Sequence, residues 1–336
     1  MRSMDKTPLA VVVAKLDADD VITALKQEGR YDSDRRIVEH DADHLELPVA
    51  APPDETSVRD LIEQPDPPWR VRDLADRLRA RGWSPAEIDA VPRSWGVIGS
   101  IIVGKFADCP RPHIVGEELL ALHGNAHTVL SIEGIGGAHR IPDVSVVAGE
   151  GKTNTVHVEH GTEYAMDLSE VMFSPGNQAE RVRMGELVGS GETVFDMFAG
   201  IGYFALPVAR AGASVTATER NPTAFTYLQE NVERNDVSDL VTPVLGDCRD
   251  ADVTADHIIM GHYDALAYLE SAITAVRPGG ILHVHDVAPA NDPFADIEQA
   301  LDELLAGGVS RTTLHRQVVK SHSPGLEHVV IDVQIG

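Results

Sequence analysis

Two glycines and a glutamate are spaced as in a binding site for a nucleoside. Gly200 and Gly202 follow a short apolar stretch that ends at Asp196, and Glu219 closes a second apolar stretch that begins at Ser214. Glycines at such a turn let the backbone approach a ligand without a Cβ in the way. A carboxylate at the end of the second strand accepts hydrogen bonds from both ribose hydroxyls. The pattern predicts the first strand–helix–strand unit of a Rossmann-like sheet.

The glycine spacing alone does not distinguish a dinucleotide from S-adenosylmethionine. Two acids favour S-adenosylmethionine. Asp196 precedes the glycines, where a dinucleotide site must accommodate a pyrophosphate. Asp247 follows a third predicted strand, Val241–Leu245, and can accept a hydrogen bond from an adenine amino group. A ligand with a sulfonium, an ammonium and no phosphate suits an acid-lined crevice. The alternative is a sheet whose turn glycines only permit close packing.

The chain is long enough for two or three domains and is strongly acidic. Its 336 residues include 28 Lys and Arg against 53 Asp and Glu, a net charge of −25. The acids are spread along the whole length, which suggests a surface adapted to high salt, as in the cytoplasm of a halophile; an ordinary acidic protein is the alternative. At molar salt the Debye length is roughly 3 Å. The net charge therefore does not exclude an RNA substrate, although RNA-binding surfaces are usually basic.

Cysteine and histidine usage argues against metal and disulfide chemistry. Cys109 and Cys248 form no C-x-x-C pair, so neither a disulfide framework nor a cysteine zinc site is expected. Histidines alternate with apolar residues on predicted strands, which favours strand-face positions over metal ligands; they are His157, His160, His262, His283 and His285. No early apolar segment and no run of about 18 apolar residues is present, so we expect a cytoplasmic protein without a membrane span.

The periodicity of the chain predicts three domains, of which the first and last are α/β and the middle one is α+β. Residues 1–60 read as a small module of strands around one helix. Two Pro-rich stretches at 49–56 and 64–68 read as linkers with a short helix between them. Residues 69–173 read as a middle α+β domain that contains a glycine-rich loop at Gly134–Ala138 and a hairpin turned at His160-Gly161. Residues 174–336 alternate strands and helices and end in two antiparallel strands, so this domain is expected to bind S-adenosylmethionine.

Several blocks of the chain resemble archaeal tRNA guanine-37 N1-methyltransferases and their sister enzymes of wybutosine synthesis. Pro92–Gly99 resembles the entry to the middle domain of that family. The remaining blocks are Phe173–Asn177 with Glu180–Arg183, Asp196–Gly202, Ile258–Met260, Val318–Pro324 and His328–Asp332. The resemblance implies a class I, Rossmann-like catalytic domain that uses S-adenosylmethionine on tRNA.

Three departures from the methyltransferase pattern favour the sister enzyme. The methyltransferases end their fourth strand in Asn-Leu-Pro, where this chain has Gly261-His262-Tyr263. They have Pro where this chain has Tyr203, and Tyr where it has Met172. At each of these positions the chain is similar to the enzyme that transfers a 3-amino-3-carboxypropyl group to 4-demethylwyosine in tRNA-Phe. That enzyme has Met-Gly-Tyr at the strand end, so His262 is an extra residue. The alternatives are the N1-methyltransferase and a catalytically idle tRNA-binding relative.

The resemblance also implies roles for individual residues. Arg181 is implied as a partner of the cofactor carboxylate, Glu219 as the ribose ligand, and Asp247 with the Cys248 backbone as adenine ligands. The complete implied cofactor set is Ser174, Arg181, Phe198, Gly200, Gly202, Glu219, Asp247 and Cys248.

The implied catalytic residues are Glu180, a general-base candidate, and Arg140, a substrate contact. Three structural alternatives, without a role in binding or catalysis, remain open. Ser174 could cap the following helix, Glu180 could stabilise the dipole of that helix, and Arg140 could be a solvated loop residue. A monomer without a metal ion is expected, with tRNA-Phe as its partner.

Overall fold

The structure is a computed structural model that describes residues 7–54, 58–65, 67, 69–70, 72–137, 139–306 and 308–336. By its internal contacts the chain forms two compact units, residues 1–89 and 90–336. The predicted division of the second unit into a middle and a catalytic domain stays a prediction.

The N-terminal unit is an antiparallel sheet with one packed helix. Its sheet has the order β2-β3-β1-β4, and α1 buries Val21 and Leu25 against Val11 and Leu47. The elements are β1 (Leu9–Ala14), α1 (Ala18–Gln27), β2 (Val38–Glu39), β3 (His44–Val49), β4 (Asp60–Glu63), α2 (Leu74–Ala80) and α3 (Pro85–Asp89).

The prediction of a short helix between the two Pro-rich stretches is wrong. That segment is β4, which pairs with β1 from Leu9 to Val12. An open edge of β1 offers a row of unpaired backbone groups, and pairing with them outweighs the local preference of a four-residue segment.

The second unit begins with a four-stranded mixed sheet and a separate hairpin. The sheet has the order β5-β6-β7-β8, and β9 pairs with β10. The elements are β5 (Gly96–Ile98), β6 (Ile101–Gly104), α4 (Pro112–Leu122), β7 (Thr128–Gly136), β8 (Ile141–Gly149), β9 (Asn154–Glu159) and β10 (Thr162–Asp167).

Two loop predictions in this region have different outcomes. The hairpin turn at His160-Gly161 is confirmed, and both residues have positive φ. The glycine-rich loop expected at Gly134–Ala138 is wrong for its first three residues, because β7 continues to Gly136 through a register shift between Ile132 and Gly134. Ala138 lies outside the described residues.

A seven-stranded sheet forms the rest of the second unit. The order is β13-β12-β11-β14-β15-β17-β16; the first five of these strands run parallel, while β17 is antiparallel to both its neighbours. This confirms the Rossmann-like sheet with two late antiparallel strands. The elements are α5 (Gln178–Leu187), β11 (Thr193–Asp196), α6 (Ala205–Arg210), β12 (Ser214–Glu219), α7 (Pro222–Arg234), β13 (Val241–Leu245), β14 (Ala255–Met260), α8 (Leu269–Ala275), β15 (Val276–Pro289), α9 (Ala295–Leu305), β16 (Arg311–Ser323) and β17 (Leu326–Ile335).

Helix α7 fixes the hairpin against the seven-stranded sheet. The Asn231 side chain is fully buried, accepts from the backbone N–H of Ala165 at 2.7 Å and donates to the carbonyls of Ala165 and Ile201. Asn235 makes a similar pair of bonds to Glu163. The chain leaving β10 toward Phe173 and Ser174 is thereby held over the carboxyl ends of the parallel strands.

Candidate cofactor and active site

A cavity of about 310 Å³ opens at the carboxyl ends of β11, β12, β13 and β14. A parallel sheet binds ligands at this edge, where the strand order reverses on either side of its first strand. Of the predicted site residues, all but Gly202 and Glu180 line the cavity: Arg140, Ser174, Arg181, Phe198, Gly200, Glu219, Asp247 and Cys248.

Glu219 is held at the cavity wall by backbone donors. One carboxylate oxygen accepts the N–H of Gly200 at 2.8 Å, and the other accepts the N–H of Asn221 at 2.7 Å. Burial raises the pKa of Glu219, while these backbone hydrogen bonds oppose the shift. Each oxygen keeps a lone pair for a further donor. Two vicinal hydroxyls are a fitting ligand for a carboxylate held in this way.

Gly200 is required at its position by both conformation and space. Its φ is +57°, and a Cβ there would collide with the ring of Tyr203. Gly202 has a φ of +102°, and its Cβ would meet Leu206 at 2.7 Å and Leu228 at 3.3 Å. Gly202 therefore serves packing beneath the turn, while Gly200 faces the cavity.

Asp247 lies at the cavity rim, paired with an arginine two residues later. Its carboxylate accepts from Arg249 Nε at 2.9 Å and Nη2 at 2.7 Å, and this side-chain bond lowers the pKa of Asp247 to about 2. The carboxylate stays ionised and shares its acceptor capacity with Arg249. Burial, with the Asp247 charge beside it, raises the pKa of the Cys248 thiol to about 12, so Cys248 is not a thiolate nucleophile at neutral pH.

Aromatic rings flank this end of the cavity. The ring centroid of Phe198 lies 4.9 Å from that of Tyr268 and 5.1 Å from that of His262. All three residues line the cavity, so its nucleoside end offers flat apolar faces beside the Asp247 carboxylate.

Asp196 does not line the crevice, contrary to the expectation from its place before the glycines. It is fully buried, and burial raises its pKa to about 7. One oxygen accepts the N–H of Phe198 at 3.3 Å; the other has no partner among the residues that the structure describes. Asp196 therefore shapes the turn from below.

Arg181 reaches the opposite wall with its charge already paired. Its guanidinium donates to both carboxylate oxygens of Glu159, at 2.8 Å each, and to the Ser174 carbonyl at 3.2 Å. Four of its five N–H groups are engaged by these bonds, which leaves one on Nη1. The hydroxyl of Ser174 accepts from Lys320 Nζ at 2.7 Å. Burial, together with the charge of Arg181, lowers the pKa of Lys320.

Glu180 lies beneath the cavity and not in it. It is 1% exposed, and both its oxygens accept from Arg183, at 2.6 and 2.8 Å. Arg183 also donates to Asp332 at 2.6 Å. A general base must reach its proton directly or through one water. The residue between Glu180 and the cavity is His285, whose Nε2 lies 3.7 Å from Glu180 Oε1.

The three positions that depart from the methyltransferase pattern all lie at the cavity. Tyr203 donates its hydroxyl to the Met172 carbonyl. Arg140 contacts Met172 Sδ at 3.4 Å, and its guanidinium lies 5.1 Å from the centroid of the Tyr263 ring. Gly261, at the end of β14, packs against Phe204 so closely that a Cβ would stand 2.8 Å from that ring.

Two histidines of the cavity were not predicted as site residues. His285 on β15 and His328 on β17 are 1% and 2% exposed, and both line the cavity. His285 Nδ1 and His328 Nε2 are 3.2 Å apart. The available signal was a set of polar residues on the inner face of apolar strands: His283, His285, His328 and Asp332.

Within the described ranges, no cluster of three or more His, Cys, Asp or Glu residues could hold a metal ion. None of the helices in that same part of the chain combines the length and apolarity needed to cross a membrane.

Two protein-family models match the chain from residue 74, near the end of the first unit, to residue 306 in the second. Residues 155–306 match the TRM5/TYW2 methyltransferase domain. Residues 74–153 match the TYW2 N-terminal domain. The family match therefore extends beyond the Rossmann-like sheet.

Individual relatives include both sister activities. The chain is 34% identical to a tRNA(Phe) (4-demethylwyosine(37)-C(7)) aminocarboxypropyltransferase of Pyrococcus horikoshii, over 74% of this chain and 91% of the relative. It is 30% identical to the tRNA (guanine(37)-N(1))-methyltransferase Trm5b of Pyrococcus abyssi, over 97% of this chain and 99% of the relative. The crystal structure of P. horikoshii TYW2 in complex with MeSAdo superposes with a TM-score of 0.68 at 30% identity and covers 78% of this chain and 97% of that one.

Proposed function

This chain belongs to the TRM5/TYW2 family, and we propose that it is the family's aminocarboxypropyltransferase. It transfers the 3-amino-3-carboxypropyl group of S-adenosylmethionine to C7 of 4-demethylwyosine at position 37 of tRNA-Phe. The TYW2-type match over residues 74–153 and the 34% identity to the P. horikoshii transferase support this activity over guanine methylation.

The observation that carries the choice is the end of β14. A methyltransferase of this family is expected to present an Asn side chain there to the guanine. Here the position is Gly261, and a Cβ on it would stand 2.8 Å from the Phe204 ring. The backbone and its neighbour thus leave no room for an amide side chain in this arrangement. The full-length match to Trm5b keeps N1-methylation of guanine as the second candidate.

The residues at the nucleoside end fit S-adenosylmethionine. Glu219 would hold the ribose hydroxyls, Asp247 and the Cys248 backbone the adenine edge, and Phe198 would pack on the adenine face. Gly200 admits the cofactor close to the backbone. These roles are supported by the free lone pairs of Glu219 and by the shared lining of one cavity.

The opposite end would receive the methionine arm and the tRNA base. Arg181 has one N–H left for a carboxylate, and Ser174 lies beside it. Arg140, stacked on Tyr263, would contact the base. The sulfonium of S-adenosylmethionine carries three electrophilic carbons, and attack on the methionine Cγ transfers the aminocarboxypropyl group. The protein selects that carbon by placing it in line with the nucleophile.

The cellular setting is part of the proposal. The net charge of −25, spread along the chain, suits a cytoplasm at high salt, as in a halophilic archaeon. The expected assembly is a monomer that binds tRNA-Phe through arginine side chains.

Product analysis tests the proposed function. The full chain is incubated in high salt with S-adenosylmethionine and tRNA-Phe carrying 4-demethylwyosine, and the nucleosides are identified by mass spectrometry. We expect a nucleoside heavier by the aminocarboxypropyl group and release of methylthioadenosine. A methylated guanosine in unmodified tRNA, with S-adenosylhomocysteine, would overturn the proposal in favour of the methyltransferase.

A further inference from the structure

A carboxylate and two imidazoles form a row that ends in the cavity. Glu180 Oε1 lies 3.7 Å from His285 Nε2, and His285 Nδ1 lies 3.2 Å from His328 Nε2. Glu180 and His285 are each 1% exposed, and His328 is 2% exposed. His328 Nδ1 is buried and has no hydrogen-bond partner in the part of the chain that the structure describes, and the residue lines the cavity.

The charge of Glu180 selects one arrangement of protons along this row. A distance of 3.7 Å is too long for a hydrogen bond, and the Glu180 charge is itself paired with Arg183, yet a carboxylate oxygen that faces His285 Nε2 still favours an N–H there over a lone pair. His285 Nδ1 is then an acceptor, and His328 must donate its Nε2–H to it. In a neutral imidazole the other nitrogen carries the lone pair. His328 Nδ1 therefore becomes a bare, buried acceptor on a residue that lines the cavity.

His328 also lies on the cavity wall that receives the tRNA base in the proposed function. Its ring packs against Tyr263 with centroids 5.1 Å apart, and Tyr263 carries the Arg140 guanidinium on its face. Burial and the neighbouring His285 and Lys320 lower the pKa of His328 to about 3, so it is a neutral acceptor at any physiological pH.

We propose that His328 Nδ1 accepts the proton lost from the tRNA base during transfer, and that His285 and Glu180 are positioning residues that hold its tautomer. The proposal rests on the proposed function. The C7–Cγ bond forms as the Cγ–S bond breaks, and the sulfur keeps the electron pair as a neutral thioether. The electron pair of the C7–H bond returns to the ring, and the proton passes to His328 Nδ1.

The charge balance of this step suits a buried site. One positive charge leaves the sulfonium and one arrives on the imidazole, so the net charge of the cavity is unchanged. Once the C7–Cγ bond has formed, C7 carries both its hydrogen and the transferred group, and the nucleobase is a strong acid at that carbon. A weakly basic imidazole is therefore sufficient to remove the proton. With His328 as the proton acceptor and Glu180 as a positioning residue, Glu180 contributes to catalysis although Arg183 occupies both its oxygens.

A matched pair of variants tests the assignment. His257 and His283 form a second imidazole pair on the same sheet, with nitrogens 3.0 Å apart, and neither lines the cavity. We compare His328→Asn with His257→Asn in single-turnover transfer to tRNA-Phe carrying 4-demethylwyosine, protonated or deuterated at C7. Loss of a general base lowers rates by about 10²–10⁴-fold.

His328→Asn is expected to lose at least about a hundredfold in rate and to gain a primary deuterium isotope effect, while its cofactor affinity changes by less than about threefold. His257→Asn is expected to keep its rate within about threefold of the wild type. A rate for His328→Asn near that of the wild type, or equal losses in both variants, would overturn the assignment.

A measurement on the unaltered protein covers the case in which His328→Asn does not fold. In protein labelled with ¹⁵N-histidine, ring-nitrogen chemical shifts should place the hydrogen of His328 on Nε2 and leave Nδ1 bare, and Glu180→Gln should redistribute it. A hydrogen on Nδ1 in the wild type refutes the assignment. Wild-type release of S-adenosylhomocysteine would instead remove the proposed function itself.

Discussion

The two ends of the cavity are built in different ways. At the nucleoside end, acids are fixed by backbone N–H groups or by a near neighbour: Glu219 by the N–H groups of Gly200 and Asn221, and Asp247 by Arg249. At the opposite end, charges are fixed by partners from distant strands. The acids at the nucleoside end keep acceptor capacity for a ligand, while the ion pairs at the opposite end occupy most of the hydrogen-bonding groups there. Substitutions at the nucleoside end should therefore cost affinity, and those at the other end should cost stability.

The largest expected effect follows from removing Arg183. Arg183→Met leaves the carboxylates of Glu180 and Asp332 buried without their guanidinium, and breaking such a buried pair costs about 3–5 kcal/mol. Burial would raise the pKa of Asp332, but hydrogen bonds from His283 and Arg183 hold it below its usual range. Chemical denaturation in high salt measures the loss.

Arg234→Met is the matched control. Arg234 also pairs with two acids, Glu163 and Glu230, at 3.3 and 2.9 Å, but its side chain is one-third exposed. Exposed pairs contribute up to about 1 kcal/mol. Equal losses in the two variants would contradict the claim that the buried ion pairs of Arg183 contribute more to stability than exposed ones.

At the nucleoside end, Glu219→Ala should weaken S-adenosylmethionine binding about ten- to a hundredfold. The substitution removes charged acceptors worth about 1.5–3 kcal/mol, which in the wild type accept from the Gly200 and Asn221 N–H groups. Calorimetric titration provides the affinity, and exposed Glu186→Ala serves as the control. Wild-type affinity in Glu219→Ala would place the ribose elsewhere.

A smaller effect is expected at Asp247. Because its carboxylate already accepts two N–H groups from the Arg249 side chain, Asp247→Ala should reduce cofactor affinity by at most about tenfold. Arg249→Ala, which releases the carboxylate, should leave the affinity equal or higher. A weaker affinity in Arg249→Ala would show that the guanidinium itself contacts the cofactor.

The sequence predicted the nucleoside end better than the other end for a physical reason. The roles of Gly200 and Glu219 depend on a turn and a strand end, which periodicity and residue type mark locally. The pairing of Arg181 with Glu159 depends on the docking of a hairpin, which no local pattern specifies. For the same reason, the sequence could nominate Glu180 as a base but could not show that Arg183 occupies it.

His328 and β4 illustrate the same limit. In the sequence, His328 is one of several polar residues in a largely apolar strand, and only the sheet shows that it lies beside His285. Strand β4 forms because β1 offers a free edge, which four residues alone cannot reveal. The departures at Met172, Tyr203 and Gly261 were visible in the sequence, but their meeting in one cavity required the fold.

The choice of the attacked carbon is tested most directly by following the two parts of S-adenosylmethionine. Parallel reactions with tRNA-Phe carrying 4-demethylwyosine contain cofactor labelled either in its carboxyl carbon or in its methyl group. The carboxyl label is expected to enter the tRNA, and the methyl label is expected to leave with the released thioether. Methyl label in the tRNA, with carboxyl label left in solution, would contradict this expectation.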